Sequence, residues 1–146
     1  MKRYVLLIAC IVVLLASCGQ NTEVFSESSR AIKGYDPVAY FREGKPVKGD
    51  EALTYYWKEA NWYFSTRENL DSFSRDPMKY APQYGGYCAY GCSEGHKAPT
   101  DPAAWTIVDG KLYLNYNLEV KQKWLRNQEE RIEQANKNWP VLKDEK

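Results

Sequence analysis

WTIVDGKLYL, at residues 105–114, contains two short β-favouring runs on either side of Asp109-Gly110. An Asp-Gly pair between such runs is the strongest short-range signal for a β-hairpin, because both residues tolerate the positive φ angles of a type I′ turn. Aromatic runs at residues 53–57 and 62–65 predict a second hairpin, with residues 58–61 joining its strands. The sequence therefore predicts two antiparallel hairpins.

Helical patterns surround these hairpins. Ser65 and Glu68 form a capping-box pattern, which predicts a helix over residues 66–74. Asn117 is placed to cap a final helix over residues 118–138, which Pro140 is expected to end. We also expect a short strand at residues 38–41 and a helix at residues 87–94. The predicted fold class is α+β, with the hairpins packed against short helices and a long C-terminal helix.

The N-terminus reads as a targeting segment. Lys2 and Arg3 precede an apolar run of about 11 residues, shorter than the roughly 20 residues that span a bilayer. The following LASC, at residues 15–18, resembles the lipobox of bacterial lipoproteins. This resemblance implies removal of residues 1–17 and attachment of acyl chains such as palmitate to Cys18, which would anchor the protein in a membrane of the bacterial cell envelope. An ordinary secretory signal with a chance cysteine is the alternative.

Composition then divides the chain into four segments. We expect a signal peptide at 1–17, a lipidated tether at 18–30, one domain at 31–142 and a tail at 143–146. Without the leader, 18 basic residues face 19 acidic ones, a formal charge of −1. Because the basic residues are scattered among acidic ones, nucleic acid is not an expected partner. The expected partners are the membrane, through Cys18, and possible envelope proteins.

Several separated blocks occur in the order seen in one known family. They are GYDPVAYF at 34–41, the aromatic hairpin at 55–64, Phe73, DP at 76–77, YAPQYGGYCA at 80–89 and DGKLYLN at 109–115. In this arrangement the chain resembles the YHS domain, in its exported single-domain form. The resemblance implies a treble-clef-like core and a role in metal handling.

The family's metal-binding cysteines are missing from this chain. Laid over the family pattern, those positions fall on Ala39, Ser65 and Asn69. Alanine has no ligand atom, and serine and asparagine are poor donors for the soft metals that thiolates bind. We therefore expect the family's usual metal site to be absent.

A different group of residues could bind a metal. Cys88 and Cys92 lie four residues apart, and His96, the only histidine, lies four further on. In a helix the two sulfurs would share a face, and Gly95 could let His96 fold back to complete a zinc or copper site. The alternatives are two structural thiols with a surface histidine, or a Cys88–Cys92 disulfide.

Aromatic residues suggest a second kind of site. Tyr35, Tyr84, Tyr87 and Trp105 could line a ligand pocket, since Tyr84 and Tyr87 flank flexible glycines, although small domains more often bury such rings in their core. We see no nucleophile with a base, and no phosphate-binding loop, so we do not expect an enzyme. The expected function is binding of a metal ion or small ligand near Cys88. The rivals are a structural module that docks on an envelope partner, and a thiol redox component that uses Cys88 and Cys92.

Overall fold

The computed structural model describes residues 23–145. The predicted signal peptide, the predicted acylation site at Cys18 and the first part of the predicted tether lie outside these residues. In the described part, two small sheets and six α-helices form an α+β fold, which confirms the predicted class.

The strands form one sheet of four and one of two. The first has the order β1 (Ser26–Glu27), β2 (Arg30–Ala31), β4 (Ala60–Phe64) and β3 (Asp50–Trp57). The second pairs β5 (Asp101–Val108) with β6 (Lys111–Asn115). Both predicted hairpins are present.

The helices are short except at the C-terminus. They are α1 (Pro37–Glu43), α2 (Arg67–Arg75), α3 (Pro77–Tyr80), α4 (Ala89–Ser93), α5 (Leu118–Arg126) and α6 (Gln128–Leu142). Two short 3-10 turns that contain left-handed residues lie at Ile32–Gly34, before α1, and at Gln83–Gly86, between α3 and α4. Between residues 23 and 145, no helix combines the length and apolar character needed to cross a membrane.

Both hairpins close through two-residue turns with positive φ angles. Asp109 and Gly110 have φ angles of 50° and 72°, as the sequence predicts. In the other hairpin Lys58 and Glu59 adopt 49° and 59°, so the turn is shorter than the predicted connection and β4 begins at Ala60. A type I′ turn matches the right-handed twist of the strands, and this favours it even without glycine.

Two clusters of buried side chains form the core. The larger lies between the four-stranded sheet, α1, α2 and the second hairpin, with Phe73 of α2 against Trp62 and Phe64 of β4. The smaller joins α4, α5, α6 and β6 and includes Trp124 and Ala135. The second hairpin contributes to both, because Leu112 and Tyr113 point to opposite sides of β6.

The strand predicted at residues 38–41 is wrong, because this segment is helix α1. The side chain of Asp36 accepts hydrogen bonds from the backbone N–H groups of Val38 and Ala39, at 2.8 and 3.2 Å. Pro37 occupies the first turn of the helix, where its missing N–H costs nothing. This apolar run is too short for its periodicity to distinguish a strand from a helix. The capping residues therefore decide which of the two forms.

The single C-terminal helix predicted over residues 118–138 is also wrong. Asn127 has non-helical angles of −132° and 46° and separates α5 from α6. The break lets Trp124 and Ala135 pack in the same cluster. Pro140 does not end α6, which continues to Leu142, and burial of the Leu142 side chain anchors that last turn.

The folded domain begins earlier than the predicted Ala31. Val24 and Phe25 are buried, and the Phe25 N–H donates to the Gly85 carbonyl at 2.9 Å. Residues 24–30 therefore belong to the fold and not to the tether. The polar composition of this stretch conceals these two apolar anchors.

Candidate functional site

A pocket of about 250 Å³ opens beside the start of the described chain. We call it the tryptophan pocket, because three tryptophans line it. It is lined by residues of the first hairpin, the α3 region, the turn at Gln83–Gly86, α6 and the N-terminal segment: Glu23, Val24, Trp57, Lys58, Trp62, Met78, Ala81, Pro82, Gln83, Tyr84, Gly85, Asn136, Trp139 and Pro140.

The first hairpin supplies an aromatic wall with one charge beside it. The rings of Trp57 and Trp62 lie 5.9 Å apart, and the Trp62 indole N–H donates to the Trp57 carbonyl at 3.1 Å. Lys58 places its ammonium nitrogen 4.9 Å from the centre of the Trp57 ring and 2.5 Å from a carboxylate oxygen of Glu23. The wall is therefore apolar, with an ion pair at its edge.

Tyr84 forms the opposite wall from a strained backbone position. Its φ angle is 58° and those of Gly85 and Gly86 are 62° and 86°, so three consecutive residues are left-handed. This conformation is costly for a residue with a side chain, and such strain tends to occur at functional sites. We call residues Gln83–Gly86 the Tyr84 turn.

The Tyr84 side chain is locked against helix α6. Its hydroxyl donates to Oδ1 of Asn136 at 2.9 Å, and its ring lies 5.9 Å from that of Trp139. Burial raises the pKa of Tyr84 far above its usual range, so the hydroxyl stays protonated and remains a donor. The wall is thus preorganised, since little side-chain freedom remains to be lost on binding.

Only one of the four predicted pocket residues lines this pocket. Tyr84 does, whereas Tyr35, Tyr87 and Trp105 do not. Tyr87 stacks between Phe25 and Trp139 at 5.7 and 6.3 Å. Trp105 packs against Tyr40, and Tyr35 pairs with Lys48 as an isolated β-bridge. The prediction of one pocket formed by all four residues is wrong.

Cys88 lies inside the molecule at the start of α4 and not on the predicted longer helix. Its side chain is 2% exposed, and its sulfur accepts hydrogen bonds from the Gly91 and Tyr116 N–H groups at 3.4 and 3.2 Å. Burial raises the pKa of the Cys88 thiol, while these backbone hydrogen bonds act in the opposite direction. The thiol is protonated at neutral pH and shielded from solvent.

Cys92 is still more enclosed. It is 0% exposed, and burial, followed by the proximity of Cys88, raises its pKa to about 12. Both cysteines are free thiols. Thiolates are the nucleophiles and metal ligands of cysteine chemistry, so this environment opposes both roles.

His96 is exposed and folds back beside α4, where its Nε2 atom would lie 3.4 Å from a Cβ atom added at Gly91. Gly95, at φ 87°, reverses the chain, and the His96 N–H donates to the Gly91 carbonyl at 3.1 Å. Within residues 23–145, no group of three or more His, Cys, Asp or Glu side chains is arranged to hold a metal ion. The zinc or copper site at Cys88, Cys92 and His96 stays a prediction.

Ala39, Ser65 and Asn69 all contact one buried carboxylate. Asp36, which is fully buried, accepts from the Ser65 hydroxyl and the Asn69 amide, each at 2.7 Å. The Ala39 N–H also donates to this carboxylate, at 3.2 Å. These three residues therefore serve a buried anion as hydrogen-bond donors.

The sequence analysis missed most of the pocket. Trp62, Trp139, Lys58 and Glu23 were not singled out, and they come from three separate segments. The only local signal was the pair of glycines after Tyr84, which led to that residue. Aromatic residues in a small domain are more often core residues, so the presence of tryptophans in the sequence does not by itself indicate a site.

The chain matches no protein-family model, no curated protein and no solved structure.

Proposed function

We propose that this protein is a lipid-anchored, non-catalytic α+β domain of the YHS type that binds a small ligand in the tryptophan pocket at the bacterial cell envelope. The observation that carries the proposal is the pocket itself. Its aromatic walls come from three parts of the chain, and one wall is fixed by a strained tyrosine. In an uncharacterised protein, an apolar pocket with a few converging polar groups is the preferred binding-site hypothesis.

The size and lining of the pocket define the class of ligand. Its volume of about 250 Å³ lies just below the roughly 300–1,000 Å³ of pockets for drug-sized ligands. A single ring or a short chain suits this space. Ring faces can contact Trp57 and Trp139, while Lys58, Gln83 and Asn136 offer polar groups at the walls.

The remaining parts of the proposal rest on sequence and on the Asp36 cluster. Acylation of Cys18 follows from the leader and the lipobox at residues 15–18. Membership in the YHS family and a treble-clef-like core are supported by the ordered sequence blocks. The meeting of Ala39, Ser65 and Asn69 at Asp36 is consistent with this alignment.

Nuclear magnetic resonance of the tryptophan side chains tests the proposal without any mutation. Each indole N–H gives its own ¹H–¹⁵N signal, and the mature chain contains tryptophans inside and outside the pocket. We choose 4-methylphenol as the probe, because it has one ring and one hydroxyl. Titration should shift the signals of Trp57, Trp62 and Trp139 in a saturable way and leave those of Trp105 and Trp124 in place.

Trp105 and Trp124 are the internal controls, since neither lines the pocket. Uniform small shifts of all five signals, or shifts that never saturate, would show that the pocket does not bind such a ring. A spectrum that stays well dispersed throughout the titration excludes unfolding as the cause of a shift.

A further inference from the structure

We infer that the mouth of the tryptophan pocket faces the lipid bilayer and that the apolar residues around it rest on the bilayer surface. This inference rests on the proposed function, because it assumes an acylated Cys18. It adds a second contact between protein and membrane, made by the folded domain itself. It also implies that the pocket receives its ligand from the lipid phase.

The first argument is the length of the tether. Glu23 lines the pocket and is only five residues from Cys18. Even a fully extended chain spans no more than about 3.6 Å per residue, so these five residues reach at most about 18 Å. Because Val24 and Phe25 are already buried in the domain, the tether cannot lengthen without unfolding part of it. An acylated Cys18 therefore keeps this side of the domain close to the membrane.

The second argument is the apolar rim of the pocket. Met78 and Pro140 line the pocket and are exposed. Met78 is 68% exposed. Exposed apolar residues grouped around a cavity mark contact sites with proteins or membranes. Because the tether holds this side of the domain close to the membrane, we infer that the rim contacts the membrane.

The third argument is the charge beside the mouth. A shallow depression next to the pocket is lined by Lys58 and Lys143 together with three acidic residues, Glu23, Glu59 and Asp144. These charges nearly balance, so the surface has no strong preference for anionic lipids. The contact should therefore depend on the apolar rim and form on neutral phosphatidylcholine.

Fluorescent probes at two matched positions test the orientation. Met78→Cys places a thiol on the rim, at a residue that is 68% exposed, and Tyr56→Cys places one at a residue that is 66% exposed. Tyr56 adjoins Trp57 on β3, so its side chain points to the opposite face of the sheet. Each variant is prepared as the full acylated chain and labelled with an environment-sensitive maleimide dye. The unsubstituted chain serves as the labelling control, since Cys88 and Cys92 are buried.

The labelled chains are then placed in phosphatidylcholine vesicles with and without brominated acyl chains, which quench fluorophores that touch the lipid. We expect at least a twofold loss of fluorescence from the probe at position 78, and a loss of less than a tenth from the probe at position 56. A third probe, in Pro140→Cys, should behave like the one at position 78, since Pro140 also lines the pocket and is exposed.

Equal quenching at positions 78 and 56, or none at either, would overturn the inference. This result is independent of the 4-methylphenol titration, which contains no vesicles. Saturable binding of 4-methylphenol with equal quenching would leave a ligand pocket that does not face the bilayer. Rim-specific quenching without binding would leave a membrane-facing surface and refute the proposed ligand site.

Discussion

Gly85 lies directly against the backbone of Glu23, so closely that a Cβ atom at Gly85 would overlap the Glu23 carbonyl oxygen and lie 2.8 Å from its carbonyl carbon. The Tyr84 turn and the N-terminal segment therefore form one wall of the tryptophan pocket only because residue 85 has no side chain. The positive φ angle of 62° adds a second requirement for glycine.

Replacement of this glycine should release the N-terminal segment. We expect Gly85→Ala to lower the free energy of unfolding by about 3 kcal/mol, since it combines a backbone clash with an unfavourable φ angle. Gly110→Ala is the matched control, because Gly110 has a φ of 72° and no atom within 4 Å of an added Cβ. Gly110→Ala should lower the free energy of unfolding by only about 1 kcal/mol. Urea unfolding measures both, and similar losses would contradict the close packing at Gly85.

The pocket itself should depend on Trp139. Trp139→Ala removes one wall, so we expect the dissociation constant for 4-methylphenol to rise at least tenfold. Trp105→Ala removes a partly buried tryptophan of the second hairpin that does not line the pocket, and it should change affinity less than twofold. Affinities come from the Trp57 indole signal, which both variants retain. Equal effects of the two substitutions would place the binding site elsewhere.

The buried carboxylate of Asp36 should be essential for stability. It accepts five hydrogen bonds, from the N–H groups of residues 38, 39 and 65, from the Ser65 hydroxyl and from the Asn69 amide. Asp36→Asn puts an amide donor among these donors, which should lower the free energy of unfolding by about 2–4 kcal/mol. Asp101→Asn is the control, because Asp101 is only partly buried and its side chain accepts from the Ala103 N–H. Asp101→Asn should lower the free energy of unfolding by less than about 1 kcal/mol.

The pH dependence of stability should reveal the buried thiol of Cys92. Burial raises its folded-state pKa to about 12, whereas an unfolded thiol titrates near 8.5. Below pH 8.5 the Cys92 thiol is protonated in both the folded and the unfolded state, so its contribution to stability is fully present. As pH rises from about 8.5 towards 12 the unfolded state loses the proton first, and stability falls by up to about 1.4 kcal/mol per pH unit.

Comparison with Cys92→Ala isolates this contribution. Between pH 8.5 and 10 the free energy of unfolding of the variant should fall less steeply than that of the unsubstituted chain. Identical slopes would mean that the Cys92 thiol is accessible to water in the folded protein. Reaction with Ellman's reagent provides an independent check, since neither Cys88 nor Cys92 should react before unfolding.

One hydroxyl in the second hairpin should be dispensable. The side-chain oxygen of Thr106 is buried without a hydrogen-bond partner in the described part of the chain. Thr106→Val replaces it with a methyl group of similar shape, which should raise the free energy of unfolding by about 1 kcal/mol. Thr54→Val is the control in the other hairpin, where the hydroxyl donates to the Glu51 carbonyl at 2.7 Å. Thr54→Val should not raise the free energy of unfolding.

Local signals in the sequence determined the two hairpins and the start of α5. The predicted cap of α2 was wrong by one residue, because Thr66 and not Ser65 accepts from the backbone of that helix, at the Asn69 N–H. Asp109-Gly110 sets its turn because the required φ angles depend on those two residues alone. Asn117 accepts a hydrogen bond from the Val120 N–H, as its position before the helix predicts. Such features depend on contacts between residues a few positions apart, so they can be inferred from sequence.

Only the tertiary structure decided the site. Trp57, Tyr84 and Trp139 come together because the first hairpin, the Tyr84 turn and helix α6 pack around one space. The burial of Cys88 and Cys92 was equally undetermined, since spacing places two thiols on one side of a helix without saying whether that side faces solvent or core. Burial depends on elements distant in sequence, and no local pattern of residues reports which of them will pack there.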